Sequence, residues 1–459
     1  MTENEIFKTN ILDITYIEEY YSKIIQNKNT AIRKMQIIMD KVQENKEKYE
    51  NIIKELEKYD MLKNDIPKDQ IITDKNELDS WLDTHTRYMA FWLSVHYYEA
   101  RWLEGENQLS EKQKRTNFEN VIKMYYQRLA LITPCMVMTF YMLPKQFEVW
   151  DGMRKTYLYN TIDLLIVDEA GQVSTEIAAC SFALAKKAVV FGDEYQIPPV
   201  WGIERALDKS LAIQEKVIGN ENEFEVLEKY GITASSSNVM KVACKSCRYE
   251  KYGEKGLLLT EHRRCFDDII EYCNNLVYNG KLNPLRGNKR EDNREDLFPK
   301  MGYKNIESVH SQKVGTSRIN VEEAFGIANW IKENYVRIFE YYKDVNPNNV
   351  IGIVTPFKAQ AATLRNTLKH VLPQEVSSKI TAGTIHVFQG GERKIIIMST
   401  TYGKDEGCFF IDNNRSLMNV AISRTEDSFL VFGNLECLKD EVGCPSGLLK
   451  EYVKDNEIG

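Results

Sequence analysis

The feature that most constrains the fold of this chain is a short apolar run that ends in two acidic residues. Leu164–Val167 is followed at once by Asp168, Glu169, Ala170 and Gly171. Such a run predicts a strand buried on both faces, and ligands in open α/β sheets collect beyond the carboxyl ends of such strands. The two carboxylates predict a magnesium–nucleotide site in which Asp168 holds Mg²⁺ and Glu169 aligns and deprotonates water. A solvated strand end is the alternative.

A second apolar run, Ala188–Phe191, predicts another buried strand and leads into Gly192, Asp193 and then Gln196. The amide of Gln196 can sense a γ-phosphate by hydrogen bonding. The two sequences, Asp-Glu-Ala-Gly and Gly-Asp-x-x-Gln-x-Pro-Pro, resemble motifs II and III of superfamily 1 helicases. The resemblance is to the subfamily of the nonsense-decay RNA helicases and their bacterial relatives.

The resemblance continues to the C-terminus through four further segments in the order of that subfamily. Leu259–Cys265 is similar to motif IV, with Arg263 where Tyr is usual. Ile351–Gln360 is similar to the strand and turn that meet the nucleic-acid backbone. Gly383–Glu392 is similar to motif V, and Asn419–Thr425 is similar to motif VI. This order implies two RecA-like lobes that bind ATP and Mg²⁺ and act on single-stranded DNA or RNA.

The resemblance also implies roles for individual residues. Phosphoryl transfer is catalysed by positioning and charge neutralisation, so arginines from a second lobe make hydrolysis depend on closure of the lobes. Arg264 and Arg424 are the candidates, and structural salt bridges are their alternative. The other ATP-binding candidates are Gly192, Asp193, Gln389, Gly390 and Glu392, whose carboxylate can accept from a ribose hydroxyl. The nucleic-acid candidates are Thr139, Thr355, Pro356, Thr384 and His386, with hydroxyls satisfied inside loops as the alternative.

A phosphate-binding loop of the form G-x-x-x-x-G-K-[ST] does not occur in the 459 residues. The only Gly-Lys pairs are Gly280-Lys281 and Gly403-Lys404, followed by Leu282 and Asp405 where Ser or Thr is required. The sequence therefore resembles the C-terminal portion of a helicase, and we expect an upstream polypeptide to supply the loop. A non-hydrolysing nucleic-acid-binding or regulatory module is the rival interpretation, and a coiled-coil interaction protein is a third.

Composition restricts the class of protein further. No run of about eighteen apolar residues exists, and the first ten residues lack the pattern of a signal peptide, so we expect a cytoplasmic protein without membrane segments. The net charge of −7 disfavours binding of nucleic acid by bulk electrostatics and favours a channel with local charge.

The N-terminal quarter has a helical pattern. From Tyr16 to Asp60, mostly apolar residues alternate at spacings of four and three, with Lys28 and Asn45 as the polar exceptions, which predicts a coiled-coil seam. Its partner is either a returning helix, Glu111–Leu131, or a second copy of the chain. Between these arms, Arg87–Leu103 predicts an amphipathic helix buried against the stalk or the motor lobe. Leu131–Phe140 predicts a strand that ends near Thr139.

The predicted fold class is α/β, with an incomplete first RecA-like lobe that carries a helical coiled-coil stalk insertion, followed by a second lobe. The expected domains are a stalk at 1–130, the rest of the first lobe at 131–207, a polar and irregular connecting region at 208–256, and the second lobe at 257–459. The expected function is ATP-driven movement along a single strand, with the lone chain inactive for want of the phosphate-binding loop.

Overall fold

The computed structural model of the chain describes residues 14–58, 75–290, 292–307, 310–404 and 406–459. These residues form two compact units. The first comprises the described residues up to Gln108 together with Tyr125–Cys135, and the second comprises Leu109–Met124 and Met136–Gly459.

The first unit is helical. Its helices are α1 (Ile14–Lys58), α2 (Lys75–Thr84), α3 (Thr86–Leu103) and α4 (Glu119–Ala130), the last of which continues into the second unit. The long predicted helix is therefore present, although Tyr59, Asp60 and the side chain of Asn45 lie outside the described residues. None of the α1 side chains that the structure describes is buried, and Met35 and Ile38 are 68% and 61% exposed. The pairing partner of this seam stays a prediction.

Three expectations for the segment after α1 are wrong. No residue of α3 is buried, and its Phe91 and Tyr97 are 62% and 59% exposed. The predicted return helix begins at Glu119 instead of Glu111, after a loop that contains a 3₁₀ turn at Gln113–Arg115. Leu131–Phe140 is not a strand; Pro134 has no N–H to donate, and the structure describes no neighbouring strand that pairs with this segment. None of the described helices combines the length and the apolar character needed to cross a membrane.

The second unit begins with a small α/β region that carries the two acid-bearing motifs. Its elements are α5 (Leu143–Gln146), β1 (Glu148–Trp150), β2 (Lys155–Tyr157), β3 (Leu165–Val167), α6 (Thr175–Phe182) and β4 (Ala188–Val190). β3 and β4 pair in parallel as a two-stranded sheet. The predicted burial of both strands is wrong, since Ile166 is 58% exposed and Val189 is 41% exposed. One face of this two-stranded sheet, the face with Ile166 and Val189, is therefore not covered by the rest of the described chain.

The segment predicted as an irregular connection is largely helical. It contains most of α7 (Arg205–Gln214), then α8 (Phe224–Tyr230) and α9 (Val239–Ser246), followed by the hairpin β5 (Glu250–Lys251) and β6 (Glu254–Lys255). Polar side chains hold it together: Asp208 accepts hydrogen bonds from the backbone and hydroxyl of Ser235, and Glu228 pairs with Arg205. These helices have only ten, seven and eight residues, which is too short for a clear helical period in the sequence.

The rest of the second unit is built on a parallel five-stranded sheet in the order β13-β12-β14-β15-β9. Its elements are β7 (Glu261–His262), α10 (Asp267–Cys273), a π-helical turn (Asn274–Tyr278), β8 (Asn283–Pro284), β9 (Met301–Asn305), β10 (Gln312–Val314), β11 (Ser317–Ile319), α11 (Val321–Tyr341), β12 (Ile351–Thr355), α12 (Lys358–Val371), α13 (Gln374–Ser377), β13 (Thr381–Thr384), β14 (Arg393–Ser399), α14 (Phe409–Asp412), α15 (Arg415–Ser423), β15 (Thr425–Gly433) and α16 (Pro445–Val453).

Helices cover both faces of this sheet, and the central strands alternate between two cores. Ile395 and Ile397 of β14 face the core formed with α11 and α12, whereas Ile396 and Met398 face the core formed with α10, α15 and α16. This period of two explains the near-continuous apolar sequence of β14 and β15. Because the strands are parallel, the loops after β12, β13 and β14 lie together at the carboxyl ends of the strands.

Candidate active site

The acid pair follows β3 directly. The Glu169 N–H donates to Oδ1 of Asp168 over 2.9 Å, and Gln172 Nε2 donates to Oε2 of Glu169 over 2.7 Å. Glu169 has a φ of 52°, in the left-handed region that non-glycine residues rarely adopt and that is found at functional sites. The Asp168 side chain is exposed, so its carboxylate is accessible to a cation from solvent.

The two motif loops pack backbone to backbone through glycine. A Cβ atom on Gly171 would lie 2.5 Å from the carbonyl oxygen of Asp193. A Cβ atom on Gly192 would lie 2.9 Å from the amide nitrogens of Ala170 and Gly171. The Ala170 N–H also donates to the Phe191 carbonyl over 2.9 Å, so the acid pair and Gln196 are held on adjoining turns.

Arg424, at the end of α15, reaches the motif III loop. Its Nη2 donates to Oε1 of Gln196 over 3.1 Å, and Gln196 Nε2 donates to Oδ2 of Asp193 over 3.3 Å. The Arg424 residue is 4% exposed, and its Nε has no hydrogen-bond partner in the part of the chain that the structure describes. Burial lowers the pKa of Arg424; nearby Arg264 lowers it further, whereas Glu169 raises it. A buried cation with an unpaired donor, beside a carboxylate, is suited to an anionic ligand.

Arg264, a candidate for charge neutralisation at the phosphates, and Glu392, the candidate acceptor from a ribose hydroxyl, form an ion pair with each other. Arg264 Nε lies 2.6 Å from Oε2 of Glu392, and Arg264 Nη1 donates to the Ser423 carbonyl over 3.3 Å. Gly390 has a φ of 78°, a conformation that favours glycine, and the Nε2 of nearby Gln389 is buried without a hydrogen-bond partner among the described residues. Binding of a nucleotide by Arg264 would require it to exchange Glu392 for phosphate.

The nucleic-acid candidates fall into two groups. Thr355 and Thr384 are register partners at the ends of β12 and β13, and Pro356 and His386 follow them on the same edge. The Thr355 side chain is fully buried and its hydroxyl bonds the Thr401 hydroxyl over 3.0 Å, whereas His386 is exposed. Thr139 lies elsewhere in the second unit, in the turn before α5, where its carbonyl accepts from Met142 and Leu143.

Sequence reasoning missed two contributors to this region. Tyr278 donates to Oδ2 of Asp193 over 2.5 Å, and Asn419 Nδ2 donates to the Tyr195 carbonyl over 3.0 Å. Asn419 stands inside the motif VI segment, so the resemblance marked its position without giving it a role. Nothing in the sequence around Tyr278 distinguishes it from a core tyrosine.

Comparison with known proteins gives a consistent result. The AAA domain family matches residues 243–436. Helicase sen1 of Schizosaccharomyces pombe is 26% identical over 286 residues, which is 60% of this chain and 15% of that protein. The 5'-3' DNA helicase ZGRF1 of Mus musculus is 26% identical over 280 residues, 60% of this chain and 13% of that protein. The DNA replication ATP-dependent helicase/nuclease dna2 of S. pombe is 25% identical over 320 residues, 64% and 20% respectively.

This chain is therefore similar to proteins named as helicases over 60% to 64% of its length, and to the AAA domain family over residues 243–436. The five-stranded parallel sheet, covered by helices on both faces, fits a RecA-like helicase domain. The chain spans only about 13% to 20% of the length of these three relatives.

Proposed function

We propose that this chain is the C-terminal part of an ATP-dependent helicase or translocase that moves on single-stranded DNA or RNA. The observation that carries the proposal is the 3.1 Å hydrogen bond between Arg424, next to the five-stranded sheet, and Gln196, on the loop packed against the acid pair. Gln196 lies on the loop that packs against the loop of Asp168 and Glu169, so the arginine comes from one part of the second unit and the glutamine and the acid pair come from another. This is the arrangement needed when closure of two lobes controls phosphoryl transfer.

The residues present fit ATP with Mg²⁺. Asp168 offers an exposed carboxylate of the kind that Mg²⁺ prefers, and the ion supplies charge neutralisation at the phosphates when it is bound. Glu169 is placed to accept a proton from water, with its carboxylate oriented by Gln172. Arg424 presents a desolvated positive charge to the same region, which stabilises negative charge more strongly than an arginine in water.

In this proposal, the phosphate-binding loop comes from a segment outside these 459 residues. Exposed apolar side chains in and next to β3 and β4 support it: Leu164, Ile166, Val189 and Phe191 are 48%, 58%, 41% and 46% exposed. A surface of this kind on a short two-stranded sheet offers a place for further strands and covering helices. The loop's backbone amides and lysine would then cradle the phosphates opposite Asp168.

The single strand would run along the edge where β12 and β13 end. Thr384 is half-buried and His386 is exposed there, and uncharged donors of this type fix a backbone without reading its sequence. Thr355 would take part only after its hydroxyl leaves Thr401.

The test compares the wild-type protein with Glu169→Gln and Asp168→Ala, each combined with the upstream segment that carries the loop. We expect Glu169→Gln to bind ATP and lower turnover by about 10² to 10⁴, the usual effect of removing a general base. Asp168→Ala should weaken Mg²⁺-dependent ATP binding itself. Equal turnover in the wild type and Glu169→Gln would contradict the proposed site. Absence of hydrolysis in every form, with binding of single strands retained, would favour a non-hydrolysing binding module.

A further inference from the structure

Tyr278 occupies a special backbone position. It is the last residue of the π-helical turn that continues α10, and it is followed by Asn279 and Gly280, both with positive φ. The Asn274 side chain fastens this turn by bonding the N–H and the carbonyl of Leu282 over 3.0 and 3.2 Å. A π turn inserts an extra residue and so redirects the side chain that follows, and such turns are frequent at functional sites.

The redirected phenol joins the motif III loop to α15. Its oxygen accepts from Asn419 Nδ2 over 2.9 Å, so the single hydroxyl hydrogen is free to donate to Oδ2 of Asp193 over 2.5 Å. The ring packs edge-on against Tyr195, with centroids 5.5 Å apart. Burial raises the pKa of Tyr278, and the adjacent Asp193 carboxylate raises it further, which keeps the phenol protonated as a donor.

Asp193 transmits this contact to Gln196. Its Oδ1 accepts from the Tyr195 N–H over 2.8 Å, and its Oδ2 accepts from Gln196 Nε2 over 3.3 Å. With Nε2 committed to the carboxylate, the amide must present Oε1 to Arg424, which donates to it. A rotated Asp193 carboxylate would release the amide and remove the acceptor that faces Arg424.

We propose that Tyr278 is a positioning residue that fixes the Asp193 carboxylate and thereby holds the Gln196 amide against Arg424, an inference that rests on the proposed function. Tyr278 touches no reacting group itself. It makes the arrangement of the motif III glutamine depend on the conformation of the turn after α10.

The first test uses the chain alone and needs no ATP: amide hydrogen exchange of residues 193–197 in the wild type and in Tyr278→Phe. Removal of the hydroxyl should speed exchange of the Tyr195 and Gln196 amides about tenfold, the effect of losing one hydrogen bond, and leave the β14 amides unchanged. Tyr272→Phe is the matched control, because this buried phenol on α10 donates to the Pro445 carbonyl over 2.9 Å and contacts neither motif loop. Exchange in residues 193–197 that is the same in the wild type and Tyr278→Phe overturns the proposal.

Asp193→Asn provides a second variant should Tyr278→Phe fold poorly, because it keeps an acceptor but removes the charge that attracts the phenol. We expect it to accelerate exchange in the same residues and the double variant to add little. Additive acceleration in the double variant would mean that the two side chains act independently, contrary to the proposal.

The second test measures hydrolysis with the upstream segment present. Tyr278→Phe should lower kcat about tenfold while KM for ATP stays within about twofold, because orientation of Gln196 and Arg424 matters in the transition state. An unchanged kcat in an active assembly overturns the positioning role. Absence of hydrolysis in every form would instead refute the proposed function, and the exchange measurement would still decide whether Tyr278 fixes the loop.

Discussion

Arg424 is a buried arginine whose charge is costly to bury and, in the proposed site, useful for neutralising negative charge on ATP. A guanidinium that is 4% exposed, with one hydrogen bond to an uncharged amide, is poorly compensated in the absence of an anion. Arg424→Ala should therefore lower ATP turnover in the complete assembly by about 10³ through loss of transition-state charge neutralisation. Steady-state hydrolysis measures the effect, and Arg337→Ala on α11 is the control, because Arg337 is exposed and its guanidinium lies 5.8 Å from the centroid of the Phe298 ring.

Affinity for a single strand without nucleotide should remain in Arg424→Ala. Binding that collapses while hydrolysis per bound protein persists would identify Arg424 as a backbone contact.

Glu323 is a fully buried carboxyl in α11 that makes stability depend on pH. It accepts from the Thr401 N–H over 3.0 Å and from the Ser399 and Thr400 hydroxyls. Burial raises its pKa to about 8, and these hydrogen bonds only partly offset the effect. Because the folded pKa exceeds the unfolded value, this contribution to stability is complete below about pH 4.5 and is lost as pH rises through 8.

The melting temperature should accordingly fall by several degrees between pH 5 and pH 8, and Glu323→Gln should flatten that part of the profile. Glu322→Gln, one residue away and exposed, is the control and should leave the slope intact. Identical slopes in the wild type and Glu323→Gln would show that Glu323 does not govern this range.

The sequence predicts individual site residues where the spacing of a motif after a strand identifies them. Asp168, Glu169 and Gln196 follow strand ends at motif spacing. In the structure Gln196 accepts a hydrogen bond from Arg424, and Glu169 is near enough to Arg424 to raise its pKa. Arg264 and Glu392 form an ion pair that no pattern in the sequence specifies, because the two residues are 128 positions apart, and their expected roles at a nucleotide stay predictions. Tyr278 escaped notice for the same reason.

At the scale of elements, glycine contacts hold the two motif loops together. Gly171→Ala would put a methyl group 2.5 Å from the Asp193 carbonyl, so the loops must separate, at a cost of about 1–3 kcal/mol in stability. We expect a lower melting temperature and weaker hydrolysis in the complete assembly. Gly202→Ala is the control, since a Cβ there has no neighbour within 4 Å. Equal melting temperatures for the two variants would contradict this packing.

Elements were predictable where the sequence has a regular period. The long helix α1 and the strand β12 have clear patterns, and both are present. Leu131–Phe140 failed because strand propensity does not provide a pairing partner, and Val137 is 96% exposed there. The helices α7, α8 and α9 were missed because they have only ten, seven and eight residues, too few for a helical period to stand out.

At the scale of the whole molecule, the second unit combines a well-covered five-stranded sheet with a two-stranded one whose apolar side chains are exposed. Both carry parts of one candidate site, so its chemistry depends on completing the smaller sheet. The seam of α1 is a further exposed surface, and its pairing partner stays a prediction.

The most direct measurement is the rate of ATP hydrolysis, with and without single-stranded DNA or RNA, by residues 1–459 alone and together with the upstream segment carrying the phosphate-binding loop. We predict no hydrolysis by residues 1–459 alone, strand-stimulated hydrolysis by the combination, and loss of that activity in Glu169→Gln. Strand-stimulated hydrolysis by residues 1–459 alone that disappears in Glu169→Gln would contradict the requirement for a phosphate-binding loop from outside these residues.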